Sequence, residues 1–154
     1  SGPFSETDGK ISPDGRFIAY TSRESGRPEV YVRQFPSGSG RWQISRDGGA
    51  YPRWTKAGAE LVYRTTGGIM AAPVETSGDS FQSGAPRRLF TGEFVGGIEG
   101  VQIDQFVFAD YEVAADGSRF LMFPTPSDET SERRRLITLV TNWFAELTQR
   151  ASPR

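Results

Sequence analysis

One stretch near the start of the chain reads Ile11-Ser12-Pro13-Asp14-Gly15-Arg16-Phe17-Ile18-Ala19-Tyr20. A short polar turn stands directly before a run of apolar residues. Pro13 presets φ ahead of the turn, and Gly15 can adopt a positive φ without steric cost. A nearly continuous apolar run after a turn is typical of a strand that is buried on both faces. The stretch therefore predicts a tight turn followed by an interior β-strand.

The same pattern occurs twice more, at Trp54–Tyr63 and Val113–Met122, with glycine at the fifth place each time. The second copy begins 43 residues after the first, and the third begins 59 residues after the second. A period of about 40–45 residues is typical of a four-stranded propeller blade. The longer interval predicts the same blade with an insertion. We therefore expect an all-β chain of about three four-stranded antiparallel β-propeller blades.

The repeats also predict how the rest of the chain is organised. Residues 1–10 are interpreted as a tag remnant and lead-in, because Ser1-Gly2 resembles a cloning scar. Apolar residues spaced along Trp143–Leu147 predict a short C-terminal helix. The blades occupy 11–147, and the predicted segments in chain order are 11–50, 51–90, the insertion 91–112, 113–147 and the tail 148–154.

Composition excludes several classes of function. The 154 residues include no Cys, which excludes disulfides, thiolate nucleophiles and Cys-ligated metals, and no His, which excludes Ser-His-Asp catalysis. The net charge of -1 gives no reason to expect nucleic acid as a partner. No apolar run is long enough to predict a membrane-spanning helix. We expect no cofactor, no metal and no membrane insertion.

Four motifs carry a resemblance to a known family, at Ile11–Ser22, Glu29–Val32, Gly48–Thr55 and Ile137–Leu147. They resemble, in order, the Ser-Pro-Asp-Gly turn with its strand, the following Glu-(apolar)-Tyr-Val strand, the Gly-Gly lead-in, and the terminal strand and tail of TolB-like propeller repeats. These repeats are also called WD40-like or PD40 repeats. The second copy departs from the pattern with Lys56-Ala57-Gly58, and the third lacks Ser-Pro.

The resemblance implies a bacterial propeller of six blades in a periplasmic or extracytoplasmic setting, which binds partner proteins at its channel face. Three blades are fewer than the four to eight of a closed propeller. The chain is therefore expected to be a partial propeller, one half of a dimeric six-bladed ring, or an open array capped by its insertion and tail.

Five carboxylates crowd the insertion and are predicted to bind a ligand or partner: Glu93, Glu99, Asp104, Asp110 and Glu112. Two converging carboxylates would suit glycoside hydrolysis or a cation instead. A solvated loop is the plain alternative. Asp14 and Asp116, in the repeat turns, are predicted to bond their own backbone.

The sequence thus favours a non-enzymatic binding or scaffold module that contacts another protein, a second copy of itself or a small ligand. One alternative is an accessory propeller of a larger enzyme, linked to a peptidase or a kinase. A carboxylate-based hydrolase is a third. The residues predicted to be buried in the blade core are Phe17, Ile18, Leu61, Val62, Phe120 and Leu121.

Overall fold

The computed structural model describes residues 5–92, 101–103, 106–108, 111–122 and 138–141. Within these ranges the chain forms β-strands and one three-residue 3₁₀ turn, Lys56–Gly58. The strands are β1 (Glu6–Ile11), β2 (Phe17–Ser22), β3 (Glu29–Gln34), β4 (Trp42–Gln43), β5 (Ala50–Thr55), β6 (Glu60–Thr65), β7 (Gly68–Ser77), β8 (Ser80–Ser83), β9 (Arg87–Thr91), β10 (Val101–Ile103), β11 (Phe106–Phe108), β12 (Tyr111–Val113), β13 (Arg119–Met122) and β14 (Thr138–Thr141).

The strands form three antiparallel sheets that follow one another along the chain. Sheet 1 has the order β1-β2-β3-β4, and sheet 2 has the order β5-β6-β7-β8 with β9 also paired to β7. Sheet 3 has the order β12-β13-β14, and β10 and β11 form a separate hairpin inside the predicted insertion. The predicted all-β fold of blade-like antiparallel sheets is confirmed. The predicted C-terminal helix lies outside the described residues.

The repeat turn has the backbone that its glycine predicts. Gly15, Gly58 and Gly117, the fifth residues of the three copies, have φ of 75°, 96° and 75°. In the second copy the turn departs further, because Lys56 and Ala57 also have positive φ, 51° and 54°. The loss of Pro-Asp from this copy therefore changes the turn into a 3₁₀ segment without moving its glycine out of the left-handed region.

Sheets stack face to face and bury two apolar cores. One core lies between sheets 1 and 2 and contains Phe17, Val32 and Leu61. The other lies between sheets 2 and 3 and contains Val62, Ile69 and Phe120. Because side chains alternate along a strand, neighbours in β6 belong to different cores. Sheet 2 is therefore covered on both faces.

Each sheet presents a leading face, toward the sheet before it, and a trailing face, toward the sheet after it. The leading faces carry residues at matching places in the three repeats. In sheet 2 they are Trp54, Leu61 and Tyr63, which pack on sheet 1. In sheet 3 they are Val113, Phe120 and Met122, which pack on sheet 2. In sheet 1 the register places Ile11, Ile18 and Tyr20 on this face.

The predicted core is right at four of six positions. Phe17, Leu61, Val62 and Phe120 are fully buried. Ile18, on the leading face of sheet 1, is only half-buried. Leu121, on the trailing face of sheet 3, is 40% exposed, so the prediction of a buried Leu121 is wrong. The physical reason is that no other described sheet packs on either of these two faces.

Candidate functional site

The first strands of the three sheets, β1, β5 and β12, lie side by side, and charged side chains connect them. We call Asp8, Arg53 and Glu112 the inner-strand cluster. Arg53 donates from Nη1 to Asp8 Oδ2 at 2.8 Å and from Nε to Glu112 Oε1 at 3.1 Å. One guanidinium thus joins carboxylates from both neighbouring sheets.

Arg53 is the buried member of the cluster. Its side chain is 10% exposed, against 19% for Asp8 and 60% for Glu112. Burial acts to lower the pKa of Arg53, but the nearby Asp8, Tyr111 and Glu112 outweigh it and leave that pKa raised. The Tyr111 ring centre lies 5.6 Å from the guanidinium carbon and adds a cation–π contact. Arg53 therefore stays charged and is held on three sides.

An irregular step in β1 and in β5 aims the backbone toward this cluster. Asp8 and Tyr51 occupy the same place in the repeat, and both have a positive φ, 56° and 58°. The register with the neighbouring strand slips at both positions, as in a β-bulge, which turns side chains away from the regular alternation. Thr21 Oγ1 accepts a hydrogen bond from the Tyr51 amide at 3.1 Å and holds the bulge in sheet 2.

Glu112 is the predicted site residue that the structure describes. Glu93, Glu99, Asp104 and Asp110 lie outside the described residues, so their placement stays a prediction. Glu112 contacts an arginine, and Asp8, the second carboxylate at that arginine, comes from sheet 1 and not from the insertion.

Sequence reasoning missed Arg53 and Asp8, although the repeat held a signal for one of them. Lys10, Arg53 and Glu112 all stand directly before the first apolar residue of their repeat copy. A charge at this place in every copy indicates a row of charges along neighbouring first strands. Lys10 Nζ lies 3.9 Å from Asp8 Oδ1 and continues that row.

The aspartates of the repeat turns bond locally, as predicted. Asp14 Oδ1 accepts from Ser12 Oγ at 2.6 Å and from the Arg16 amide at 3.1 Å. Asp116 Oδ1 accepts from the Ser118 amide at 2.9 Å. The Ser12 hydroxyl is the largest influence that lowers the pKa of Asp14, and the Ser118 amide is the largest for Asp116. These carboxylates stabilise turns.

A second candidate site is a groove at one end of sheet 2, which we call the loop-end groove. Its volume is about 310 Å³. It lies between the loop that follows β4 and the turn that joins β6 to β7. Its lining includes Arg46, Asp47, Tyr63, Met70, Pro86 and Arg88.

Two arginines give the loop-end groove its positive charge. Arg46 and Arg88 are exposed, and neither forms an ion pair with any carboxylate among the described residues. Asp47 is fully exposed at the edge of the groove, 3.8 Å from Arg27. Tyr63, Met70 and Pro86 give the groove an apolar component. The groove can therefore receive a chain that carries both an anionic group and apolar atoms.

A buried carboxylate positions the loop on one side of this groove. Glu29 is 1% exposed and accepts from Arg27 Nε at 2.8 Å, from the Gly48 amide at 3.0 Å and from the Ser45 hydroxyl. Ser45 Oγ also accepts from the Val30 amide at 2.7 Å. Burial, together with the nearby Glu29 and Asp47, raises the pKa of Tyr63 to about 12.

The turn on the other side of the groove is fixed by close packing. Gly68 has φ of 144°, and a Cβ at this residue would lie 2.1 Å from the Phe90 carbonyl oxygen. Only glycine fits between β7 and β9 at this point. Both walls of the loop-end groove are thus built on backbone that is held in place.

Among the described residues, His, Cys, Asp and Glu form no group of three that could hold a metal ion. The described ranges also contain no helix with the length and hydropathy to span a bilayer.

Comparison with known proteins supports the fold. No family model matches the chain, and no curated protein matches it. The crystal structure of TolB from Acinetobacter baumannii is similar, with a TM-score of 0.51 and 19% sequence identity. The match covers 87% of this chain and 32% of that one, so this chain spans about a third of its length. The likeness establishes a propeller-type fold, and membership of the TolB-like repeat family stays a prediction.

Proposed function

We propose that this chain is a non-enzymatic, propeller-type binding module whose loop-end groove takes an acidic segment of a partner protein. The observation that carries the proposal is the pair of exposed arginines, Arg46 and Arg88, which have no carboxylate partner among the described residues. Arginine presents several donors in a planar fork that matches carboxylate geometry. The carboxylate of an acidic side chain or of a C-terminus would form ion pairs with both guanidinium groups.

The size and lining of the groove suit a peptide. Its volume of about 310 Å³ lies at the lower end of the range of about 300–1,000 Å³ typical of ligand sites. Met70 and Pro86, both half-buried, offer apolar contact, and the arginines select charge. A partner segment with an acidic residue beside an apolar one therefore fits better than a uniformly charged one.

Preorganisation supports binding at this groove. Glu29 holds the loop that carries Arg46, and the Gly68 contact holds the turn facing it. A groove whose walls are already ordered loses less conformational entropy when a partner binds.

The accessory-propeller alternative rests on one observation, that the chain spans about a third of the structure it resembles. A module of this kind would serve a larger protein by the same groove, so the two alternatives share a binding chemistry. The hydrolase alternative gains no support from Glu112, because Arg53 binds its carboxylate.

The test is peptide binding measured by heteronuclear NMR. The probe is a synthetic peptide of alternating Glu and Leu, compared with one of alternating Lys and Leu. We expect the acidic peptide to change the chemical shifts of the backbone amides of the loop-end groove. Replacing Arg46 and Arg88 by Ala should weaken binding about 5- to 30-fold, from about 0.5–1 kcal/mol per exposed charged contact.

The matched control is the double variant Arg23→Ala with Lys56→Ala. Both residues are exposed and neither lines the groove, so this variant removes the same charge elsewhere. An equal loss of affinity in the control would mean that binding depends on the net charge and not on these two arginines, which would overturn the proposal. Tight binding of the basic peptide would overturn it as well.

A further inference from the structure

The large apolar side chains that are exposed among the described residues lie on sheet 1 and on sheet 3. They are Ile11, Phe35 and Leu121, at 50%, 41% and 40% exposure. Ile11 is on the leading face of sheet 1, opposite Ile18 in the register. Phe35 borders the cleft on that same face, and Leu121 is on the trailing face of sheet 3. The exposed large apolar side chains of the described residues thus lie at the two ends of the row of sheets.

The repeat indicates what the leading face of sheet 1 is built to contact. Ile18 and Tyr20 occupy the same repeat positions as Leu61 and Tyr63 of sheet 2. Leu61 and Tyr63 pack against the trailing face of sheet 1 and are 0% and 2% exposed. The same chemistry at the same place predicts the same kind of contact. The leading face of sheet 1 is therefore suited to the trailing face of another such sheet.

A cleft on the leading face of sheet 1 contains a hydroxyl that lacks a partner. The cleft has a volume of about 320 Å³, and Ile18, Tyr20 and Phe35 line it. Tyr20 is 5% exposed, and its hydroxyl makes no hydrogen bond among the described residues. A buried polar atom without a partner is unfavourable, so it points to a contact that the described residues do not supply.

The trailing face of sheet 3 offers the complementary surface. A shallow groove of about 280 Å³ lies beside Leu121, and Glu112 and Arg119, on the same face by register, also line it. Leu121 occupies the same repeat position as Ala19 and Val62. Both of those residues are fully buried against the following sheet. Among the described sheets, one face of each kind is therefore left uncovered, at opposite ends of the row.

We propose that two copies of this chain associate head to tail, with the trailing face of sheet 3 in one copy packed on the leading face of sheet 1 in the other. The contact continues the two sheet-on-sheet packings already present within the chain. A contact between unlike faces closes into a ring when the rotation allows it. Two copies place six sheets in that ring, within the four to eight of closed propellers.

The first test is the mass in solution, measured by light scattering on a sizing column over a dilution series. We expect about 34 kDa, twice the chain mass of 17.0 kDa, with dissociation on dilution. Phe35→Asp blocks the leading face and Leu121→Arg blocks the trailing face. Each variant should be monomeric, while Gln82→Arg, an exposed change on sheet 2, should keep the wild-type mass.

Mixing the two blocked variants separates this contact from nonspecific association. The intact trailing face of Phe35→Asp can still pack on the intact leading face of Leu121→Arg. We expect the equimolar mixture to recover a dimer that neither variant forms alone. A wild-type chain that is monomeric at every concentration would overturn the proposal, and so would a mixture that stays monomeric.

The Tyr20 hydroxyl gives a finer test. If it gains a hydrogen bond across the contact, Tyr20→Phe should raise the dimer dissociation constant about two- to tenfold, as expected for one neutral hydrogen bond. Circular dichroism confirms that each variant folds. This interface and the loop-end groove share no lining residue, so peptide binding by a monomer would contradict only the present inference.

Discussion

Leu61→Ala and Leu121→Ala remove the same atoms from the same repeat strand in two different sheets. Leu61 is 0% exposed in the core between sheets 1 and 2, and Leu121 is 40% exposed on the trailing face of sheet 3. Truncating a fully buried leucine costs about 2–5 kcal/mol, because a cavity adds to the lost burial. At Leu121 no enclosed cavity forms, so we expect about 1 kcal/mol or less.

The assay is equilibrium unfolding in urea. Both substitutions are made in the Phe35→Asp background, so that contact between copies does not enter the free energy of unfolding. The urea dependence should stay unchanged while the midpoint falls. For a chain of this size Leu61→Ala should lower Tm by roughly 4–20 °C. Equal losses of stability for the two variants would refute the assignment of one leucine to a core and the other to an open face.

Two further substitutions test how the loop-end groove is held. Glu29→Gln should lower the free energy of unfolding by about 1.5–3 kcal/mol, because hydrogen bonds to a charged acceptor are lost. The control, Glu75→Gln at an exposed position, should change the free energy of unfolding by no more than about 0.5 kcal/mol. Similar urea midpoints for the two variants would contradict the anchoring role of Glu29. Gly68→Ala should lower the free energy of unfolding by about 2–4 kcal/mol, since the new Cβ would clash with the Phe90 carbonyl oxygen. The control is Gly78→Ala, at a residue with φ of 55° and open space around it, and it should lower that free energy by about 1 kcal/mol. Both values are measured by thermal unfolding. A smaller loss at Gly68 than at Gly78 would mean that β9 is not packed against this turn.

The fold could be predicted from the sequence because the repeat turn is a local signal. Gly15, Gly58 and Gly117 need no distant partner to favour a positive φ. The apolar strands could also be predicted from the sequence, but the sequence did not show which of their faces another sheet would cover. Leu61 and Val62 are both buried because sheet 2 lies between two others, while Leu121 is exposed because sheet 3 has one described neighbour. Neighbouring sheets, rather than the strand itself, decide this.

The candidate sites were harder to predict because their residues come from distant parts of the sequence. Glu112 and Arg53 are 59 positions apart, and Asp8 is 45 positions before Arg53. Crowding of carboxylates drew attention to the insertion, but stacking of sheets brought the arginine to Glu112. Arg46 lies in the loop after β4 and Arg88 lies in β9, and the two line one groove only after β9 pairs with β7. Composition carries no signal for such a pairing.

The repeat also explains why its two ends are the informative surfaces. The first two copies have the same residue types on their leading faces, since Ile18 and Tyr20 match Leu61 and Tyr63. If sheet 1 were built to face solvent, its leading face would need polar residues at these two positions. It instead retains an apolar residue and a tyrosine whose hydroxyl has no partner among the described residues, with Arg33 over the ring at 5.0 Å. At these two positions the leading face of sheet 1 therefore has the residue types of an interior surface, which favours a sheet-to-sheet contact over a solvated end.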